Sequence, residues 1–354
     1  MHRVKNLFEQ VCSMRNLRQA AKEALRGKRS RLPGATFFAE MEKELPALHE
    51  ELSCGGYRHG PYHYFRVHDP KDRLVAAAGF RDRVVHHAIV RVIEPIFEHR
   101  FIEDSFACRR GKGTHAAMRR ALHFARGHRY ALKCDVSKYF PSIDHEVLTG
   151  LVERVIGDGR VLDLLNRVLA SHADAEVKEW PAGGGLFDYR ARRKGMPIGN
   201  LTSQFLANVY LNPLDHFVKH DLRVKGYVRY MDDFILFGDN RATLKGFGEQ
   251  IKSKLGELCL RMHPDKYSIV PTGLGLDFAG FVVFRDGRIR VRSSTVRRFD
   301  RRYRQMLWDV NHKLRVPADL TMRVRAWGAH VEHAQSCGLR ADVLGRRRGR
   351  RTYG

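Results

Sequence analysis

The stretch GYVRYMDDFILFG, residues 226–238, sets two adjacent aspartates, Asp232 and Asp233, between two apolar runs. Both runs are rich in aromatic and β-branched residues, so each reads as a strand, and the break between them predicts a hairpin with the acidic pair near its tip. Neighbouring buried carboxylates lose hydration and repel, at a cost of several kcal/mol per ion unless something positive compensates. Two outcomes stay open from the residues alone: exposure at a turn, or a bound cation.

The chain as a whole is strongly positive. Its 354 residues carry 64 Lys and Arg against 39 acids, a formal net charge of +25. Such an excess points to a polyanionic partner, nucleic acid before an anionic membrane. A hydrophobic fraction of 43% suits a packed core. No run of about 18 apolar residues occurs, so nothing is expected to span a bilayer. Residues 285–354 hold 18 Arg and one Lys against six acids. There Arg297, Arg298, Arg301, Arg302 and Arg304 are interspersed with Phe299, Tyr303 and Leu307, the pattern of a helix with one basic and one apolar face. A solvated helix face reads the same way.

The basic N-terminus lacks the apolar core of a signal peptide and carries Glu9 and Glu23, while Leu7, Val11, Met14 and Leu17 repeat at helical spacing. That predicts an amphipathic helix belonging to the fold rather than a transit peptide. The six cysteines (12, 54, 108, 134, 259 and 337) form no CxxC pair, which suits reduced thiols of a cytosol better than a disulfide frame or a zinc site. His86 and His87 lack metal-ligand spacing and read as structural or surface residues.

Elsewhere, residues 130–136 read as a strand, followed by a turn at Pro141 and a helix from about His145. Residues 200–222 read as a long helix capped by Asn200 or Thr202, 173–195 as a long loop or small hairpin, and Asp286-Gly287 as a hairpin turn. Asp135 thus closes an apolar strand, as Asp232 and Asp233 border theirs. If those strands are sheet neighbours, three carboxylates converge on one edge. Two Mg²⁺ ions about 3.5–4 Å apart on such oxygens would clamp the attacking and leaving oxygens of an in-line phosphoryl displacement. Mg²⁺ needs only a few carboxylates besides substrate phosphates. Asp144 and Asp215 lie at a helix start or on a helix face, where capping or solvation accounts for them. GKGT, residues 111–114, resembles part of a phosphate loop but has Phe106 where the earlier glycine belongs. Arg109, Arg110 and Lys112 therefore read as contacts to a nucleic-acid backbone, in keeping with the positive excess.

Read in order, FRDRVVHHAIVRVIEPIFEHRF, SFACRRGKGTH, LKCDVSKYFPSIDHEVL, GMPIGNLTSQFLANVYLNPLD, RYMDDFILFG, LRMHPDKYSIV and LDFAGFVVF resemble the motifs of reverse transcriptases over nearly the whole chain. Group II intron and retron enzymes usually read PQGxxxSP where this chain reads PIGNLTSQ, residues 197–204. IGNLTSQ resembles the signature of the reverse transcriptases of diversity-generating retroelements.

The resemblance implies an α+β right-hand polymerase. Its expected parts are an N-terminal helix and fingers over 1–127, a palm of antiparallel sheet and helices over 128–284 with a fingers insertion near 145–195, and a basic helical thumb and tail over 285–354. It implies Asp135 and Asp232 as main ligands of two Mg²⁺ ions, replaceable by Mn²⁺, with Asp233 supporting, and Lys266 near the departing pyrophosphate. Phe140 becomes an aromatic gate against a 2′-hydroxyl. Arg73 and Arg81 become the better candidates for the triphosphate of an incoming dNTP, since a guanidinium binds phosphate bidentately. Arg66 and Arg83 are equally able to pair with Asp69 or Asp82. Gly199 and Gln204 belong to the substrate motif, and Ile198 replaces a glutamine amide near the nascent base pair. Arg297, Arg298 and Arg301 join Arg109, Arg110 and Lys112 as nucleic-acid contacts. Apart from the motif, Phe140 and Ile198 read as packing residues and Lys266 as a surface lysine.

The implied partners are a template-repeat RNA, the RNA–cDNA hybrid, dNTPs and a small basic accessory variability protein, with no membrane. The implied enzyme is bacterial or phage-encoded, cytoplasmic, and makes errors opposite adenine; no segment is expected to remain for an RNase H, protease, maturase or endonuclease domain. Two alternatives stand beside it: an ordinary retron-type or intron-like reverse transcriptase, and a non-catalytic RNA-binding protein on the same scaffold.

Overall fold

The computed structural model describes residues 3–28, 32–68, 72–172, 174–179 and 190–345; Asp69 and the tail from 346 onward lie outside the described residues. Helices combine with antiparallel sheets, the expected α+β class. Packing separates two compact units that interleave along the chain. The first comprises Met1–Glu103, Val136–Asp221 and Gln250–Pro264, the second Asp104–Asp135, Leu222–Glu249 and Asp265–Gly354.

In the first unit the expected N-terminal helix is two. Ser13, at φ −54 and ψ 137, interrupts it between Phe8–Cys12 and Met14–Leu25, and its Oγ caps the second piece by accepting from the Asn16 amide at 3.3 Å. A serine that bonds its own backbone competes with helix continuation. Leu17, Ala20, Ala21, Ala24 and Leu25 make the buried stripe, which packs on helix Phe80–Glu98. Asp158 caps helix Gly159–Ala170 at Val161 and also accepts from the amides of Leu7 and Phe8 at 2.7 and 2.9 Å, stitching the N-terminus to that helix. The long helix Leu201–His216 packs on Phe80–Glu98, with Phe205 meeting Phe97 edge to face at 5.5 Å. Asn200 precedes it without capping through its side chain; its Nδ2 donates instead to Ala76 O at 3.2 Å. Strands His63–His68 and Asp72–Ala77 form a largely exposed ribbon, and Asp174–Glu179 pairs with Arg190–Lys194, so the 173–195 segment contains the small hairpin.

The second unit is built on a four-stranded antiparallel sheet. Its strands lie in the order Tyr227–Tyr230, Asp233–Gly238, Tyr130–Asp135, Ser268–Pro271. Helix Thr114–Gly127 packs on it through Ala117, Met118, Ala121 and Ala125. A second sheet, Leu276–Phe278, Phe281–Val283 and Ile289–Val291, turns at Ala279-Gly280 and, as expected, around Gly287, all three at positive φ. Phe106, Met118, Phe124, Val228, Ile235, Phe237, Phe278, Phe281 and Trp327 share one core, each large side chain contributing roughly 1.5–3 kcal/mol by burial. Helix Ser293–Asn311 bears out its two-faced pattern: Phe299 lies flat on Trp327 of helix Pro317–Val331, 4.1 Å apart at 4°, while Arg297, Arg301 and Arg304 stay exposed. Among the described residues no helix is long and apolar enough to cross a membrane.

Candidate active site

Antiparallel register brings the key carboxylates together. Asp135 ends strand Tyr130–Asp135 directly opposite Asp233, which begins strand Asp233–Gly238. Side chains opposite each other share a sheet face with Cβ atoms about 4.5–5.5 Å apart. Tyr230 pairs with Asp233 from the other side, which leaves Met231 and Asp232 as the two-residue hairpin turn. Met231 sits at φ 60, the left-handed conformation that such turns use and that most side chains disfavour. The sheet edge therefore carries one carboxylate on the turn and a cross-strand pair beside it.

That crowding adds to the effect of burial. Burial pushes Asp233 up to about 6, and the charges of Asp135 and then Asp232 push in the same direction, against Lys133 and Lys266. Lys266, in the short helix Pro264–Lys266, makes an ion pair with Asp135, so it is not a bare surface lysine. Among the described residues no three His, Cys, Asp or Glu side chains are yet gathered tightly enough to hold one ion between them. The donor set still fits a hard divalent cation: it consists of carboxylate oxygens only, and their mutual repulsion is what a cation relieves.

The expected comparison residues behave differently. Asp144 is fully buried, but one oxygen accepts from the amides of Glu146 and Val147 at 3.0 and 3.1 Å and the other from Arg192 at 3.0 Å. It is a helix cap. Asp215 lies buried on helix Leu201–His216. His86 is structural: it is buried and stacks on His59, and burial pushes its imidazole down to about 3.

The other expected substrate residues belong to the first unit. Arg73 is exposed on the ribbon, whereas Arg81 pairs with Glu51 at 2.7 Å and Glu44 at 3.4 Å. Arg66 pairs with Asp72 at 2.6 Å, while Asp69 lies outside the described residues, and Arg83 donates to Ala78 O at 2.9 Å while Asp82 accepts from Tyr57. Phe140 lies in the short helix Tyr139–Ser142 and is half-buried, with Tyr139 edge-on to it. The 197–200 segment is tied to the ribbon: Ile198 O accepts from Ala76 N at 3.2 Å, and Gly199, at φ 113, would push an added Cβ to 2.9 Å from Val75. Ile198 is half-buried there, and Gln204 lies in the first turn of the following helix.

Of the basic residues, Arg110 is exposed, Arg109 donates to Ser105 O at 2.7 Å, and Lys112 lies over the Phe106 ring at 5.1 Å. Arg298 is half-buried, in contrast to Arg297 and Arg301. Two residues of the site escaped the reading of the sequence. Lys133, whose charge bears on Asp233, was legible as the polar member of an apolar strand. Arg229, interior to the hairpin, carried no local signal beyond being a cation in an apolar run.

Residues 68–283 match the family described as reverse transcriptase (RNA-dependent DNA polymerase). Protein YkfC of Escherichia coli is 27% identical over 375 residues, covering 90% of this chain and 94% of YkfC. The group II intron-encoded protein LtrA of Lactococcus lactis is 26% identical over 180 residues, half of this chain but only 28% of LtrA. Among solved structures, apo telomerase from Candida tropicalis superposes with a TM-score of 0.50 at 11% identity, over 67% of this chain and 49% of that one. This last likeness bears on fold alone. The family match covers the Asp232-Asp233 hairpin, its partner strand and both sides of the 197–204 motif, and the chain belongs to the reverse transcriptase family.

Proposed function

We propose that this protein copies a template-repeat RNA into error-prone cDNA for a diversity-generating retroelement. The observation that carries the polymerase reading is the cross-strand pair Asp135 and Asp233 beside the Met231-Asp232 turn. In the reaction, the primer 3′-hydroxyl oxygen attacks the α-phosphorus of a dNTP paired with the template. The new phosphorus–oxygen bond replaces the one to the β-phosphate, and pyrophosphate leaves. Asp135 and Asp232 would hold two Mg²⁺ ions, or Mn²⁺ in their place, with Asp233 supporting. When bound, those ions supply charge neutralisation and a more acidic 3′-hydroxyl. Lys266 exchanges its pairing with Asp135 for the departing pyrophosphate. Arg73 and Arg81 take the triphosphate, Arg81 by releasing Glu44 and Glu51, and Phe140 rejects the 2′-hydroxyl. Arg109, Arg110, Lys112, Arg297, Arg298 and Arg301 hold nucleic-acid phosphates, and a small basic accessory variability protein joins the assembly.

The error-prone part of the reading rests on PIGNLTSQ. The carbonyl of Ile198 is bonded to the ribbon that carries Arg73, and its side chain offers no hydrogen bond to a base pair. Loss of that amide relaxes geometric checking of the nascent pair. Sequencing cDNA from a primed RNA containing all four bases tests this: errors should concentrate opposite adenine and shift in spectrum in Ile198→Gln. A uniformly faithful product favours the second reading, an intron-like reverse transcriptase, which the similarity to LtrA supports.

A further inference from the structure

The Met231-Asp232 turn rests on a set of contacts that the reaction does not use, all within the second unit. Arg229, two residues before Met231, is the largest fully buried side chain among the described residues, and its Nη1 donates to Met231 O at 3.0 Å. A guanidinium removed from water must be held by hydrogen bonds in fixed geometry. The carbonyl it holds belongs to the residue with the unfavourable φ of 60.

The backbone of Arg229 is gripped as well. Its amide donates to Asp104 O at 2.9 Å, and its carbonyl accepts from Phe106 N at 3.0 Å, so residues 104–106 lie along the hairpin as a short parallel bridge. Asp104 is itself buried and accepts from Arg120 at 2.6 Å. From there the chain closes on itself, Gly113 N donating to Phe106 O at 3.0 Å with Gly113 at φ 107. The next residue, Thr114, returns to the hairpin: its Oγ1 lies 3.0 Å from the Tyr230 hydroxyl. One loop thus grips two consecutive residues, Arg229 by backbone and Tyr230 by side chain, immediately before the turn.

We infer that residues 104–114 form a brace for the catalytic hairpin, and that Thr114, Tyr230 and Arg229 are positioning residues that fix the Met231-Asp232 turn. The kinetic consequence rests on the reading of Asp232 as a metal ligand; the brace itself does not. Thr114→Val and Tyr230→Phe each remove one hydroxyl and little volume, so they are safer than changing Arg229.

Hydrogen exchange on the full chain reads the brace directly. Each variant should speed exchange of peptides covering 227–238 by about fivefold or more while those covering 276–283 keep their rates. In primed-RNA extension with Mg²⁺, kcat should fall about tenfold with dNTP KM and primed-template Kd within about twofold. Thr114→Ser should restore kcat, and the double variant should be no worse than the worse single one. Unchanged exchange in 227–238, an equal rise in 276–283, unchanged kcat, or multiplying losses in the double variant each overturn the inference. A wild type that makes no DNA, while Thr114→Val still loosens 227–238, supports the brace and sinks the polymerase reading.

Discussion

Asp144 and Asp135 are both buried aspartates near the end of a local motif, yet their surroundings are opposite. The Asp144 carboxylate meets donors: two backbone amides of its own helix and the Arg192 guanidinium. Asp135 pairs with Lys266 and faces a second carboxylate across the ladder. Burial alone therefore does not mark a functional acid. A carboxylate whose lone pairs are used by its own chain is structural, whereas one held against like charge has the chemistry that a cation would relieve.

Substitutions at the two places should separate activity from stability. Asp135→Ala or Asp232→Ala should lower single-turnover extension by about 10³-fold or more while leaving thermal unfolding little changed. Asp144→Asn should do the reverse, costing about 2–3 kcal/mol in urea unfolding with extension per folded molecule retained. Equal loss of activity at both sites would break the comparison.

Phe140 sharpens it from the substrate side. Phe140→Ala should raise ribonucleotide incorporation about tenfold relative to deoxynucleotides, read by competitive extension. A merely packed ring predicts lower stability with unchanged sugar selection.

The smallest effect expected is in pH dependence. In metal-free protein, Asp233 is pushed up to about 6, above its unfolded value. The folded form thus holds the proton more tightly, so stability falls as pH rises from about 4 through 6, by up to about 3 kcal/mol. Asp233→Asn should abolish that fall. Asp158 has the opposite sign: burial opposes ionisation, but the amides of Phe8, Leu7 and Val161 outweigh it and hold the carboxyl below its ordinary range. Its contribution is present above about pH 4 and is lost as pH falls further. Urea titrations from pH 3 to 7.5 in chelator would show whether the two slopes oppose.

Local chemistry explains which features were legible. The apolar run of Tyr130–Asp135, the two runs around Asp232 and the cap at Asp144 are short-range signals, and all three hold. Ser13 ends a helix by bonding a residue three positions on, a weak cue inside an otherwise helical repeat. The pairing of Arg81 with Glu44 and Glu51 depends on tertiary packing, which charge spacing along the chain does not reveal. The role of Thr114 was hidden for a related reason: GKGT looks like phosphate chemistry until its threonine is seen on Tyr230.

The most direct test of the central claim is deoxynucleotide incorporation on a primed RNA template with Mg²⁺, wild type beside Asp232→Ala. Template-dependent DNA made by the wild type and lost in the variant, with RNA affinity unchanged, is the predicted result. RNA binding without synthesis by either protein, with primed template, Mg²⁺ and accessory protein all supplied, would contradict it and leave a binding protein on a polymerase scaffold.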